Sequence, residues 1–213
     1  MIRVHKSSVA PASLASKTRY DGRDVLEQLE ADAHGKCYLC ERRLTADFEV
    51  EHLKSQKNYG KLTCDWNNLL WGCGYCNRKK GDNYDDVLNP VTVDIEDEIS
   101  QVVDFVNKKV IFTPTGTSTL QHELTIKLLS SIFNGLKLLR TKREQNFYNY
   151  VASRISTFQN LIVEWLKNPC EETREPIIEE LFIESELLGL KYWIVKSNPT
   201  VETEFGKYTV WNK

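Results

Sequence analysis

The chain has 213 residues, 41% of them hydrophobic and 10% aromatic, with 28 Lys/Arg against 30 Asp/Glu and a net charge of -2. That is the make-up of an ordinary soluble globular protein, long enough for one good domain or two small ones. No apolar run approaches the roughly 20 residues of a membrane span, and residues 1–16 lack the apolar centre of a cleavable signal, so the cytoplasm is the expected location.

Ser7 to Ser16 is rich in Ser, Ala and Pro and predicts an extended lead-in. Asp21 to Ala33 predicts a helix with Val25, Leu26 and Leu29 on one face, closed by His34 and Gly35, with His34 as a C-terminal cap or surface residue. The stretch from Lys36 to Asp82 carries the chemistry. It holds two Cys-x-x-Cys pairs, Cys37/Cys40 and Cys73/Cys76, spaced so that four thiolates meet around one Zn²⁺. A closed four-cysteine site has no open coordination position, so this zinc is expected to fold the segment and do no chemistry. Disulfides are not expected in a chain without a secretory signal; a stand-alone zinc ribbon is the competing reading.

Between the pairs, Phe48 to Leu53 alternates apolar and polar and predicts a short strand ending in Glu51 and His52. Lys54 to Trp66 reads as an irregular loop, Asn68 to Gly72 as a second strand running into Cys73, and Asn77-Arg78-Lys79-Lys80 as the opening of a helix. Strand, loop, strand and helix around one pocket is a ββα-metal plan. Phosphodiester hydrolysis needs a base for the attacking water and a cation for the developing charge. His52, with a near-neutral pKa, suits the base. Glu51 and Asn77 offer hard oxygens to Mg²⁺ or Mn²⁺, which need only one or two protein ligands. Asn68 is cast as the residue holding the loop that aims His52, and Arg78, Lys79 and Lys80, at the expected helix start, as phosphate contacts. Nine Lys/Arg against six Asp/Glu between Lys36 and Asp82 make this stretch mildly basic, although the whole chain is not. Duller readings stay open: His52 as a zinc ligand, Asn77 as a helix cap, Asn68 as a turn residue, Glu51 as a solvated strand acid.

These motifs resemble the HNH endonuclease family: Cys37/Cys40, Glu51-His52, Asn68-Leu69, then Cys73-Gly-Tyr-Cys76-Asn77-Arg-Lys-Lys80-Gly81. Glu51 stands where Asp is commoner, and Asn77 where the third motif position is often His. Further segments, Met1 to Val4, Gly35 to Glu41, Val50 to His52 and an expected helix from Asn134 to Arg140, resemble the HNH subunits of Septu and retron-associated anti-phage systems. That resemblance implies an ABC-type ATPase partner of the PtuA kind and, in retron-associated systems, a reverse transcriptase with its msDNA. The chain has no Gly-rich P-loop of its own.

Beyond the motif, Asp82 to Asp104 has eight acids and no Lys or Arg, and is expected to be a solvated face; a second reading brings Asp82, Asp85 or Asp86 into the metal pocket. Val110 to Pro114 predicts a strand into a turn at Gly116. Leu124, Leu128, Ile132, Phe133 and Leu136 form one helical stripe, and Phe147, Val151, Ile155, Phe158, Ile162 and Trp165 a second, ended by Asn168-Pro169. Lys137, Arg140, Lys142 and Arg143 between them read equally as a nucleic-acid groove or a solvated hairpin. Glu171 to Gly189 predicts a third helix, with Ile178, Leu181, Phe182 and Leu188 inside. Tyr192, Trp193, Phe205, Tyr208 and Trp211 give Lys191 to Lys213 the aspect of an exposed aromatic tail that docks a partner, against the alternative of a tail folded on its own core. Cys64 and Cys170 are expected as free, buried thiols.

The expectation is therefore an α+β chain: an HNH ββα-metal domain with four-cysteine zinc knuckles over residues 1–115 (core 36–82), followed by a mainly helical region over 116–213. Its function is expected to be metal-dependent cleavage of DNA or RNA, or, in the alternative, zinc-stabilised nucleic-acid binding as an adaptor without catalysis.

Overall fold

The structure, a computed structural model, describes residues 1–137 and 139–211. Helix α1 (Arg23–Asp32) buries Val25 and Leu29 and ends where His34 takes a left-handed backbone. Strands β1 (Phe48–His52) and β2 (Leu69–Cys73) pair antiparallel, with Phe48 opposite Cys73 and His52 opposite Leu69. β2 is buried throughout, between α1 on one side and the segment that follows it on the other. That segment is α2 (Gly74–Lys80). The ββα unit of the sequence is thus present, one turn out of register at its end. The helix opens at Gly74, because the Cys73 Sγ accepts the Cys76 N–H and caps it, and Asn77 to Lys80 close it. The lead-in also contains a short 3-10 turn at Ala12–Ser16 that buries Leu14.

The acidic stretch after α2 is less solvated than its composition suggests. It contains α3 (Ile95–Glu98) and β3 (Ile99–Asp104), which pairs antiparallel with β4 (Lys109–Pro114). Ile99 and Gln101 face inward, and Glu96 and Asp85 are buried. Next come α4 (Leu120–Asn134) and α5 (Lys142–Lys167), opened by capping boxes at Thr119/His122 and Thr141/Glu144. All six apolar positions of the α5 stripe are buried, each contributing roughly 1.5–3 kcal/mol. The expected helix from Asn134 to Arg140 is not formed. α4 stops at Asn134 because Gly135 (φ 83°) turns the chain beneath Glu144, whose carboxyl carbon would lie 2.9 Å from any Cβ there. Leu136 consequently leaves the stripe and is exposed, and Leu138 lies outside the described residues.

The helix expected over Glu171 to Gly189 stops at Glu179, and a further one begins at Leu188. α6 (Glu171–Glu179) and α7 (Leu188–Lys196) are separated by turns in which Leu181 is buried and Phe182 exposed. α8 (Pro199–Phe205) follows, with Asn198 capping it ahead of Pro199. The aromatic tail folds back: Tyr192, Phe205 and Trp211 are buried in one apolar cluster with Phe158, Ile177 and Leu188, and the Trp211 indole donates to the Leu181 carbonyl at 2.6 Å. Its rings are therefore consumed by the chain's own core and do not form an exposed docking tail; Asn212 and Lys213 lie outside the described residues. Cys64 and Cys170 are half-buried, not buried. Among the described residues no helix is long and apolar enough to cross a membrane.

Candidate metal centre and catalytic cleft

The two Cys-x-x-Cys turns meet at the end of the β1–β2 hairpin. The sulfurs of Cys37, Cys40, Cys73 and Cys76 all lie within 4.8 Å of one another, those of Cys40 and Cys73 at 4.0 Å. A tetrahedron with Zn–S bonds of about 2.3 Å has edges of about 3.8 Å, so the cluster fits a zinc-sized ion. Cys73 is driven to ionise by hydrogen bonds from Cys37, Cys40 and Cys76, whereas Cys40 is pushed up chiefly by its hydrogen bond with Cys37, and burial pushes Cys76 up. The shifts split because four buried sulfurs cannot all ionise without a cation among them. His52 is not part of this cluster.

The acid and imidazole at the end of β1 are both buried, on opposite faces of the strand. Glu51 points toward α2, where the Lys80 ammonium lies 3.1 Å away. Burial pushes the Glu51 carboxyl up to about 7, against the pull of Lys80. Lys80 is one of the most enclosed side chains described and also donates to the His52 carbonyl at 2.8 Å. It is an internal strut joining α2 to β1, not the exposed phosphate contact expected from sequence. Lys79 is likewise committed, to Glu144 on α5. Only Arg78 of the three is exposed.

The His52 ring is closed in. It is 6% exposed; its Nε2 lies 3.0 Å from the Thr63 carbonyl, the Gln56 amide approaches Nδ1 at 3.2 Å, and Tyr20 packs edge-on at 4.7 Å. Burial lowers its pKa, partly offset by the Thr63 carbonyl. A donor bond from Nε2–H to Thr63 makes Nδ1 the basic nitrogen, and Gln56 covers it. Asn68 is a scaffold: buried, it accepts from the Lys54 N–H at 2.7 Å and donates to the carbonyls of Lys54 and Leu62 at 3.0 and 3.2 Å, clamping both ends of the loop that carries Gln56 and Thr63. Asp85 braces the same loop, accepting from Ser55 and Asn58. Asp82 pairs with Lys57 and Asp86 with Lys54, so these three acids serve the loop and not a metal pocket.

Asn77 does not cap the helix. Its amide nitrogen donates to Glu49 at 2.5 Å, and no hydrogen bond among the described residues engages its Oδ1. Glu49, which shares a strand face with Glu51, lines an open cleft of about 340 Å³ together with Asn77, Tyr20, Asp21 and Phe48. An unengaged amide oxygen in a cleft that the Glu49 and Asp21 carboxylates also line is a donor set that suits a hard cation. The sequence reading does not single out Glu49, Tyr20 or Gln56. For Glu49 the period-two alternation that puts it on Glu51's face is a usable signal; for Tyr20 and Gln56 there is none. Gly74 sits where Glu49, Asp47 and Arg78 converge, and a Cβ there would meet the Glu49 carboxylate at 2.7 Å.

A ββα hairpin pinned by four cysteines, its first strand ending in an acid that faces the short helix and a His on the opposite face, is an HNH arrangement, and residues 37–83 match the family model described as HNH endonuclease. This segment is an HNH domain. Over 68 residues the chain is also 40% identical to the Septu protein PtuB of Bacillus thuringiensis, a match covering 29% of this chain and 26% of that protein. It therefore spans about a quarter of the relative's own length.

Proposed function

We propose that this protein is a metal-dependent endonuclease that hydrolyses phosphodiester bonds in DNA or RNA. The observation that carries the reading is the cleft beside β1 and α2, lined by Glu49 and by Asn77 with its unengaged oxygen, with Glu51 on the same strand face as Glu49, within a hairpin whose far end is pinned by four cysteines. Glu51 and Asn77 would hold a Mg²⁺ or Mn²⁺ ion, which when bound stabilises negative charge on the phosphate and leaving oxygen. His52 takes the proton from water through Nδ1 once Gln56 swings aside, Asn68 keeps its loop in place, and Arg78 meets the phosphate backbone. Zn²⁺ at the cysteines folds the domain, and the reduced thiols it requires suit a cytoplasmic setting. Similarity to PtuB supports service as the nuclease subunit of an anti-phage defence complex, with a PtuA-like ABC-type ATPase and, in retron-associated systems, a reverse transcriptase and msDNA.

The test is cleavage of plasmid DNA and of RNA with Mg²⁺ or Mn²⁺, comparing wild type with His52→Ala. Loss of cleavage by at least 100-fold is expected from removal of a general base; intact cleavage in the variant refutes the assignment. One observation favours a second reading, a zinc-stabilised nucleic-acid-binding or adaptor subunit without activity: the enclosure of His52 by Tyr20, Gln56 and Thr63. Binding of nucleic acid by a wild type that cleaves neither alone nor with its ATPase partner selects that reading.

A further inference from the structure

The basic cluster between the two helical stripes divides. Arg140 is spent on the carbonyls of Asn134 and Lys108 and stacks over Tyr148, with 4.1 Å from guanidinium to ring. Lys142 and Arg143, in contrast, open onto a cavity of about 510 Å³, lined also by Arg42 and by the rings of Tyr75, Phe147 and Tyr150. Three cations and no carboxylate line it, in a volume within the roughly 300–1,000 Å³ range of small-molecule sites. The cations are under-used. Arg42 has a buried Nε with no hydrogen-bond partner among the described residues, Lys142 has no ion pair among them, and Arg143 has only Asp47 at 3.9 Å. The rings differ in availability. Arg143 lies over Tyr75 at 5.1 Å and Phe147 is core, but Tyr150 is half-buried with no ring or cation over its face among the described residues, its hydroxyl anchored on Glu186.

A short chain of neighbouring side chains links the cavity to the HNH cleft. Asp47, which Arg143 faces, meets Glu49 and Arg78 around Gly74 at the start of α2, and Glu49 lines the cleft beside Asn77. A strand whose backbone follows Arg78 away from the cleft reaches Arg143 and Lys142 next.

We propose that this cavity is a subsite for one unpaired nucleotide of the substrate strand, its phosphate held by Lys142 and Arg143 and its base stacked on Tyr150. The proposal rests on the nuclease reading above. An unpaired base offers the flat apolar face that Tyr150 accepts, and its phosphate the charge that Lys142 and the loosely paired Arg143 take; a duplex, with its bases stacked internally, offers only the second. The subsite therefore selects single-stranded over duplex nucleic acid.

The experiment is fluorescence anisotropy of fluorescein-labelled single-stranded and duplex 20-mers, DNA and RNA, on the zinc-loaded full chain with Ca²⁺ in place of Mg²⁺, across a salt series. Lys142→Gln/Arg143→Gln, both at exposed positions, is expected to weaken single-strand binding at least tenfold at 0.1 M salt and to reduce the salt slope by about 0.7, the share of the one phosphate no longer neutralised. Tyr150→Leu is expected to weaken single-strand binding about tenfold with the slope and duplex binding unchanged, and Tyr150→Phe to bind as wild type. Unchanged single-strand affinity and slope in the charge variant overturns the proposal, as does a Tyr150→Leu variant that weakens duplex binding as much as single-strand binding. Should Tyr150→Leu fail to fold, the charge variant decides alone. A wild type that cleaves while the charge variant binds like wild type sinks the subsite and spares the nuclease reading; cleavage surviving His52→Ala sinks that reading, while the anisotropy still decides the subsite.

Discussion

Lys80→Met tests the internal arrangement of the site most directly. Methionine keeps the length of the stem in its packed slot but removes the ammonium that lies 2.8 Å from the His52 carbonyl and 3.1 Å from Glu51. The orphaned carbonyl costs about 1–3 kcal/mol at any pH. Glu51 adds a pH-dependent part. Its folded pKa of about 7 stands above the ordinary 4.5, so the protonated form carries the stability: the contribution is full below the unfolded value and is lost as pH rises to about 7, after which the loss stays constant. Without Lys80 the folded pKa climbs further, so in the variant the loss goes on growing above pH 7 at about 1.4 kcal/mol per pH unit. Urea unfolding of zinc-saturated protein, followed by tryptophan fluorescence, should give a destabilisation of about 1–3 kcal/mol at pH 6 and about 1.4 kcal/mol more at pH 8. The Glu51→Gln/Lys80→Met double variant should lose the pH dependence. A deficit equal at both pH values would mean Glu51 and Lys80 are not coupled in the folded protein, and no deficit at all would return Lys80 to the surface as a phosphate contact.

Three further outcomes follow from the same geometry. Cys73→Ser should release zinc and unfold the domain, whereas Asn77→Ala should retain zinc and lower only Mg²⁺-dependent turnover; metal analysis beside cleavage rates separates the two, and equal damage in both would erase the division between structural and catalytic ions. Asn68→Ala removes three hydrogen bonds from a buried amide and should destabilise by about 2–4 kcal/mol in a urea melt, with a stability within 0.5 kcal/mol of wild type (about the scatter of surface substitutions) ruling out the scaffold role. Because burial lowers the His52 pKa, its basic form persists to lower pH than a free imidazole, so the acid limb of the rate–pH profile should lie below 6.5; a limb above that value contradicts this residue as the base.

The parts of the site legible in the sequence are those governed by spacing. Two Cys-x-x-Cys pairs define a tetrahedron wherever they occur, and the alternation from Phe48 to His52 fixes a strand whose acid and imidazole face apart. Burial reversed the reading of Lys80, because a lysine beside Arg78 and Lys79 looks solvated until Glu51 and the His52 carbonyl are found against it. The start of α2 depends on a cysteine sulfur acting as a cap, which no composition rule anticipates. β3 hides in an acidic run because its inward positions, Ile99 and Gln101, are outnumbered by the acids of α3 just before it. The aromatic tail needed knowledge of a second apolar cluster, built from α5, α6 and α7, into which Phe205 and Trp211 fit.

α2 shows why the site cannot be read from the motif alone. Seven residues are too few to hold a helix by their own hydrogen bonds. Its start is fixed by Cys73 and Cys76, its inner face by Lys80 against β1, and its outer face by the helical half of the chain: Tyr75 donates to the Ile132 carbonyl at 2.8 Å and packs on Phe147, and Lys79 pairs with Glu144. Glu144 is also the partner in the capping box that opens α5, so the start of the longest helix and the seat of α2 share one carboxylate. Lys79 holds the Glu144 carboxyl down to about 2, so the bond persists across the neutral range. The position of Asn77 against Glu49 is therefore set jointly by the cysteines, by β1 and, through Tyr75 and Lys79, by α4 and α5.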